Sequence, residues 1–71
     1  MEWKRLRNSD GSKFPLEDNK EYKVRMIVSI DENENDFYAE LNCIWNKSFQ
    51  IWIRKETYEL FDWIDMDDVQ V

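Results

Sequence analysis

Three stretches of the chain alternate apolar and polar residues with a period of two, at residues 22–30, 37–45 and 49–53. Successive side chains of a β-strand point to opposite faces of a sheet, so this alternation is typical of strands that are buried on one face. The connections between the stretches are short, which suits antiparallel neighbours. The pattern therefore predicts a mainly β protein built on a small antiparallel meander.

The apolar phase of these stretches predicts the core and the strand register. With a three-residue connection at 46–48, Cys43 lies opposite Ile51, and apolar side chains share one face. We therefore expect Val28, Leu41 and Ile51 to face inward.

The flanking segments are weaker signals. Residues 2–7 are predicted to form a short strand, residues 55–61 one helical turn, and residues 62–66 a closing strand. Five strands with a helical turn before the last resemble an SH3-like barrel, and an open sheet is the alternative. A chain of 71 residues is expected to form a single domain over residues 1–71.

Charge is unevenly placed along the chain. Residues 1–30 hold seven Lys or Arg against five Asp or Glu, whereas residues 31–71 hold three against eleven, for a net charge of −6. Direct binding of nucleic acid needs a basic stripe facing the phosphates, so we expect no direct nucleic-acid binding by this acidic chain. The longest apolar runs are far short of a membrane span, and the basic start lacks an apolar segment behind it. We therefore expect a cytoplasmic protein.

The composition offers little material for catalysis. There is no His and only one Gly, so no serine or threonine has a basic partner and no glycine-rich loop is present to hold phosphate. Cys43 lies in the inward phase and is expected to be a buried hydrophobe. We expect a protein that is not an enzyme and uses no cofactor.

One loop partly matches a calcium-binding motif. Asp31, Asn33 and Asn35 correspond to the first oxygen ligands of an EF-hand loop. Asp36 stands where that loop needs Gly, and Asn42 stands where it needs a bidentate Glu. We therefore expect a solvated hairpin tip and no metal site.

The outward phase of the strands is more apolar than solvent requires. It contains Arg25, Tyr38, Ile44 and Trp52, and aromatic residues with Arg are the usual anchors of protein interfaces. This set is a candidate contact patch. The alternative is that a terminal segment folds over the same face and makes it a second core.

Acidic residues at the end of the chain form a second candidate. Asp62, Asp65, Asp67 and Asp68 lie in a segment, residues 56–71, that contains no Lys or Arg. An acidic face of this kind can imitate nucleic-acid phosphates and occupy the basic cleft of a protein partner. The alternative is an acidic surface that serves only solubility.

The chain has Trp3 near its start, then a loop with Pro15, a long strand and an acidic final segment with Trp63-Ile64-Asp65. This layout resembles that of short, uncharacterised proteins encoded by phages and prophages. It implies a non-enzymatic inhibitor or modulator that binds a host protein, such as a nucleic-acid-handling or defence protein. A structural or assembly component that forms a homo-oligomer is the alternative.

Overall fold

The computed structural model describes residues 2–30 and 36–71 and shows one antiparallel sheet. Its strands are β1 (Trp3–Arg5), β2 (Glu21–Ile30), β3 (Asp36–Asn46), β4 (Ile51–Arg54), β5 (Leu60–Asp62) and β6 (Asp68–Gln70), with a short 3₁₀ turn at Trp63–Asp65. The order across the sheet is β1-β6-β2-β3-β4-β5, and over the described residues the sheet is not closed. The predicted mainly β class and the antiparallel meander, which runs from β2 to β5, are confirmed.

The helical turn near the C-terminus is confirmed, but its position differs from the prediction. Residues 55–61 do not form it, and the 3₁₀ turn falls inside the segment predicted to be the closing strand. The cause is a capping box, in which the Asp62 carboxylate accepts from the Ile64 N–H (3.5 Å) and the Asp65 carboxylate accepts from the Asp62 N–H (2.9 Å). The closing strand is β6.

The core lies on one face of the sheet. Its buried residues are Leu6, Tyr22, Val24, Cys43, Trp45, Trp52, Met66 and Val69. The N-terminal segment covers this face: Phe14 and Leu16 pack against the core, and the Phe14 N–H donates to the Leu6 carbonyl (2.9 Å). We call this covered face the inner face and the opposite one the outer face.

The two ends of the described chain meet at one edge of the sheet. β1 pairs with β6, and this ladder continues into Glu2 and Val71, which exchange two backbone hydrogen bonds of 2.8 Å. β6 also pairs with β2, so it lies between the first two strands of the chain. β1 therefore has β6 as its neighbour in the sheet and does not touch β2 through backbone pairing.

The register between β3 and β4 differs from the predicted one. Trp45 lies opposite Trp52, and the connection consists of residues 47–50 rather than 46–48. Gln50 adopts a left-handed backbone conformation (φ 55°) at the end of this connection. The prediction that Trp52 faces outward is wrong, because this side chain is fully buried on the inner face.

This register places Cys43 opposite Arg54 instead of Ile51, a slip of three residues. A slip by an odd number turns every side chain of β4 over, so Ile51 moves to the outer face and is only half-buried. Glu40, which a three-residue connection would place opposite Arg54, lies beyond the end of the observed pairing with β4, and Arg54 is opposite Cys43 instead. The physical reason is area: burial removes more apolar surface from water for Trp52 than for an isoleucine.

A β-bulge explains the second error in the predicted core. Ile27 pairs with Tyr38 and Ser29 pairs with Phe37, which leaves Val28 without a residue opposite. The bulge changes the phase of β2 at this point, and the Val28 side chain is 57% exposed. The prediction that Val28 faces the core is therefore wrong, whereas Leu41 does pack against the core.

Truncation of Trp52 is expected to be severe. The ring packs edge-on to Tyr22 (centroids 6.1 Å apart) and against Trp45 (4.7 Å), so Trp52→Ala should lower the free energy of unfolding by about 3 to 5 kcal/mol. Trp52→Phe should cost much less, since it keeps an aromatic ring and removes a buried indole N–H that has no hydrogen-bond partner among the described residues. Urea denaturation of both variants measures this, and equal losses would contradict it.

The buried thiol predicts a stability change at high pH. Burial raises the pKa of Cys43 from 9.0 to about 11, so the folded protein keeps a proton that the unfolded chain loses. The free energy of unfolding should therefore fall as pH rises between these two values, by about 2 to 3 kcal/mol in all. Denaturation of wild type and Cys43→Ala at pH 8 and pH 11 isolates this effect, because the variant lacks the thiol; parallel losses in the two proteins would refute it.

Candidate functional site

A row of charged residues with alternating sign crosses the outer face. In the strand registers, Arg5 of β1 lies opposite Asp68 of β6, and Asp68 lies opposite Arg25 of β2. Arg25 in turn lies opposite Glu40 of β3. Residues directly opposite each other in a sheet share a face, so the four side chains form one line across four strands. This arrangement keeps like charges apart.

Arg25 lies at the centre of the row and stacks between two aromatic rings. Its guanidinium carbon is 4.5 Å from the Trp3 ring centroid and 4.2 Å from that of Tyr38. Its Nε donates to the Asp68 carboxylate over 2.7 Å, with the two side chains 24% and 13% exposed. We call Trp3, Arg25 and Tyr38 the arginine stack. Cation–π contacts and a charge-assisted hydrogen bond together hold the Arg25 head group in one orientation.

A cavity of about 440 Å³ lies beside the arginine stack. Arg5 and Arg7 contribute two further guanidinium groups, and Asp67 contributes a carboxylate besides that of Asp68. The Asp67 carboxylate accepts from the Ile27 N–H (2.8 Å) and lies 3.6 Å from an Arg7 nitrogen. Within the described residues, Arg5 has no carboxylate in ion-pair range. The cavity thus combines aromatic walls with three cations and two anions.

The structure brings together only part of the predicted contact patch. Arg25 and Tyr38 are in direct contact on the outer face, and Ile44 lies on the same face opposite Ile53. Trp52 is not part of this patch, because the register of β4 places it in the core. Over the described residues, the N-terminal segment covers the inner face instead of the outer one, and Tyr38 stays 40% exposed.

The four carboxylates of the predicted acidic site all have hydrogen-bond or ion-pair partners within the chain. Asp62 and Asp65 cap the 3₁₀ turn, whereas Asp67 and Asp68 lie beside Arg7 and Arg25. Asp67 and Asp68 are also half-buried. The structure therefore divides these four carboxylates between two surroundings, the 3₁₀ turn and the two arginines.

Sequence reasoning missed the contribution of the first strand to the site. Trp3, Arg5 and Arg7 all line the cavity beside the arginine stack. The signal was present, since these three residues share one phase of a period-two alternation, but it was weak because the opposite phase, Glu2, Lys4 and Leu6, contains a single apolar residue. Ile27, an outer-face residue of β2 opposite Tyr38, lines the same cavity.

A second cavity, of about 310 Å³, lies at the edge of the inner face. Leu6, Leu16 and Trp63 are among the apolar residues that line it. Lys13 lies over the Trp63 ring at 4.4 Å, and the Arg7 guanidinium lies 5.3 Å from the same ring. This groove is largely a continuation of the core under the N-terminal segment.

A metal-binding cluster and a membrane-spanning helix are both absent from the described part of the chain. Residues 2–30 and 36–71 contain no group of three or more His, Cys, Asp or Glu that could hold a metal ion. The partial calcium motif, Asp31 to Asn35, lies outside the described residues. None of the elements in those two ranges is a helix long and apolar enough to cross a membrane.

Comparison with known proteins gave no relatives: the chain matches no protein-family model, no curated protein and no solved structure.

Arg25 should contribute more to stability than an exposed cation in the same strand. Arg25→Gln removes both ring contacts and leaves the half-buried Asp68 carboxylate without its cation, so we expect a loss of about 1 to 3 kcal/mol. Lys23→Gln is the matched control, because its ion pair with Glu40 (3.6 Å) is exposed on both sides and should be worth less than about 1 kcal/mol. Chemical denaturation of the two variants compares them; a control that loses as much as Arg25→Gln would exclude a special role for the stack.

Proposed function

We propose that this chain is a non-enzymatic protein-binding domain and that its outer face, centred on the arginine stack, receives the partner protein. The observation that carries the proposal is the arrangement of Trp3, Arg25 and Tyr38: two aromatic rings and a guanidinium in contact on a sheet face that no described segment covers. Aromatic residues and Arg are the residue types most enriched among the energetic anchors of protein interfaces.

Preorganisation strengthens this proposal. An arginine that is free in solution loses side-chain entropy when a partner immobilises it, at a cost of about 0.5 to 1.5 kcal/mol. The head group of Arg25 is already fixed by the two rings and by Asp68. Ile27, 41% exposed, and Tyr38, 40% exposed, lie opposite each other and provide apolar surface next to it.

The charges of the site favour a partner with an acidic contact surface. Three guanidinium groups and two carboxylates line the cavity, and Arg5 has no described carboxylate in ion-pair range. This points away from docking through an acidic end, because Asp67 and Asp68 are paired with Arg7 and Arg25. The resemblance to short phage-encoded proteins supports a cytoplasmic host protein as the partner, with this chain as its inhibitor or modulator.

An assembly role is the second candidate. Ile44, Ile53 and Leu60 lie in one row across β3, β4 and β5 on the outer face, and Leu60 is 63% exposed. An apolar row of this kind is also suited to contact between subunits.

Substitution of one exposed tyrosine, with another as control, tests the proposed site. Tyr38→Ser removes one of the two aromatic rings of the arginine stack. Tyr58→Ser is the control, because Tyr58 is 79% exposed and lies in the connection between β4 and β5, outside the arginine stack. In affinity capture from a bacterial lysate with mass spectrometry, we expect one stoichiometric partner that is retained by wild type and Tyr58→Ser and lost by Tyr38→Ser. We expect Arg5→Gln to slow association with that partner at low salt.

Two results would oppose the proposal. Equal capture by the two tyrosine variants would place the binding surface elsewhere. A chain that captures nothing and elutes as a large oligomer would favour the assembly role, and substitution of Leu60 by Ser would then be expected to dissolve the oligomer.

A further inference from the structure

β3 extends well beyond its neighbour on one side. It is eleven residues long, but β4 pairs only with Cys43–Asn46 at its end. On the other side, β2 accompanies β3 along nearly its whole length. Residues 37–41 therefore form a strand edge that no described strand covers.

The direction of the backbone groups along this edge follows from hydrogen bonds further along β3. The Trp45 N–H donates to the Lys20 carbonyl on the β2 side (3.0 Å), whereas the Asn42 carbonyl accepts from the Lys55 N–H on the β4 side (2.9 Å). Successive residues of a strand direct their backbone groups to alternate sides. Tyr38 and Glu40, two and four residues before Asn42, therefore direct their N–H and C=O groups to the uncovered edge.

We propose that a second copy of this chain pairs antiparallel with this edge, with the twofold axis at Ala39. In that register, Tyr38 faces the partner's Glu40, and each such pair exchanges two backbone hydrogen bonds. Ala39 faces the partner's Ala39, and Phe37 faces the partner's Leu41. Two six-stranded sheets thereby become one continuous sheet.

The segment is suited to a copy of itself because its pairs are complementary. Symmetric pairing requires each residue to fit the residue opposite, and this register opposes no two like charges. Phe37 is 55% exposed in the isolated chain and gains an apolar neighbour on the inner side. Glu40 is the only charged residue among residues 37–41, and the segment contains no Pro or Lys, the residues that commonly protect an edge from pairing.

The other strand edges are less suitable for pairing. β1 and β5, at the two edges of the sheet, are three residues long each. β1 also carries Lys4 and Arg5, so symmetric antiparallel registers centred on either residue oppose like charges. The free part of β3, five residues long, is therefore a longer edge than either terminal strand of the sheet.

Pairing at this edge keeps the outer faces of both copies on the same side. Tyr38 and the partner's Glu40 are opposite each other, and both have the outer-face phase. The two arginine stacks would then lie on one surface, so a partner with two contact points would gain from their proximity. This inference does not depend on the proposed function, because pairing is measured on the purified chain alone.

The proposal is tested by measuring the oligomeric state of the wild-type chain and of two phenylalanine variants. Phe37→Asp places a charge opposite the partner's Leu41, while Phe49→Asp changes a residue that is 75% exposed in the connection between β3 and β4. In sedimentation equilibrium over a dilution series, wild type and Phe49→Asp should show a monomer–dimer equilibrium between 8.8 kDa and twice that mass. Phe37→Asp should weaken dimerisation at least tenfold, and its near-ultraviolet circular dichroism should show that it is folded.

A cross-link tests the register. Residues opposite each other in a non-hydrogen-bonded pair have Cα atoms about 4.5 Å apart, within the range that a disulfide spans. With oxidised glutathione as the oxidant, which is itself reduced to two thiols, two Ala39→Cys chains should join through one disulfide. Ser48→Cys, in an exposed turn, is the control and should cross-link at least tenfold more slowly.

Three results would overturn the proposal. A wild-type chain that stays monomeric at millimolar concentration excludes the dimer. A dimer that Phe37→Asp leaves intact lies at another surface. Equal cross-linking rates for Ala39→Cys and Ser48→Cys would show that the twofold axis does not pass through Ala39.

Discussion

The burial of Trp52 is the constraint on which the rest of the structure depends. Its ring packs against Trp45 and Tyr22 and is completely removed from solvent. This contact fixes how β4 aligns with β3 and therefore which side chains of β4 reach the outer face. A small domain buries a limited fraction of its surface, so the position of its largest apolar side chain outweighs the preferences of smaller ones.

The long strands could be predicted from the sequence because their alternation continues over nine residues or more. β2 and β3 agree with the predicted ranges to within a residue at each end, and the boundaries of short elements are less determined. Local backbone features caused the errors. Gln50 adopts a left-handed backbone conformation, which a sequence indicates only where Gly or Asn occupies the position. Val28 lies in a β-bulge, and the sequence has no glycine there to indicate one.

The candidate site was predictable only in its middle. Arg25 and Tyr38 lie on adjacent strands, so their shared phase was enough to bring them together. Trp3 in β1 contacts Arg25 in β2 across the strand that lies between them, β6. The order of the elements along the sequence does not reveal that β6 lies between β1 and β2. The high content of acidic residues at the end of the chain was visible in the sequence, but their ion-pair partners were not. Asp68 meets Arg25 because β6 lies next to β2.

The position of β6 also has a consequence for the way the chain folds during synthesis. β2 to β5 are neighbours in both sequence and space, so they can associate as they leave the ribosome. β1 is made first, yet its neighbour in the sheet comprises residues 68–70, more than sixty residues later. β1 can therefore find its neighbour in the sheet only after β6 has been made, which is a contact of high sequence separation and costs loop-closure entropy. A nascent chain that stops before β6 lacks Asp68 as well, the carboxylate that bonds Arg25 in the arginine stack.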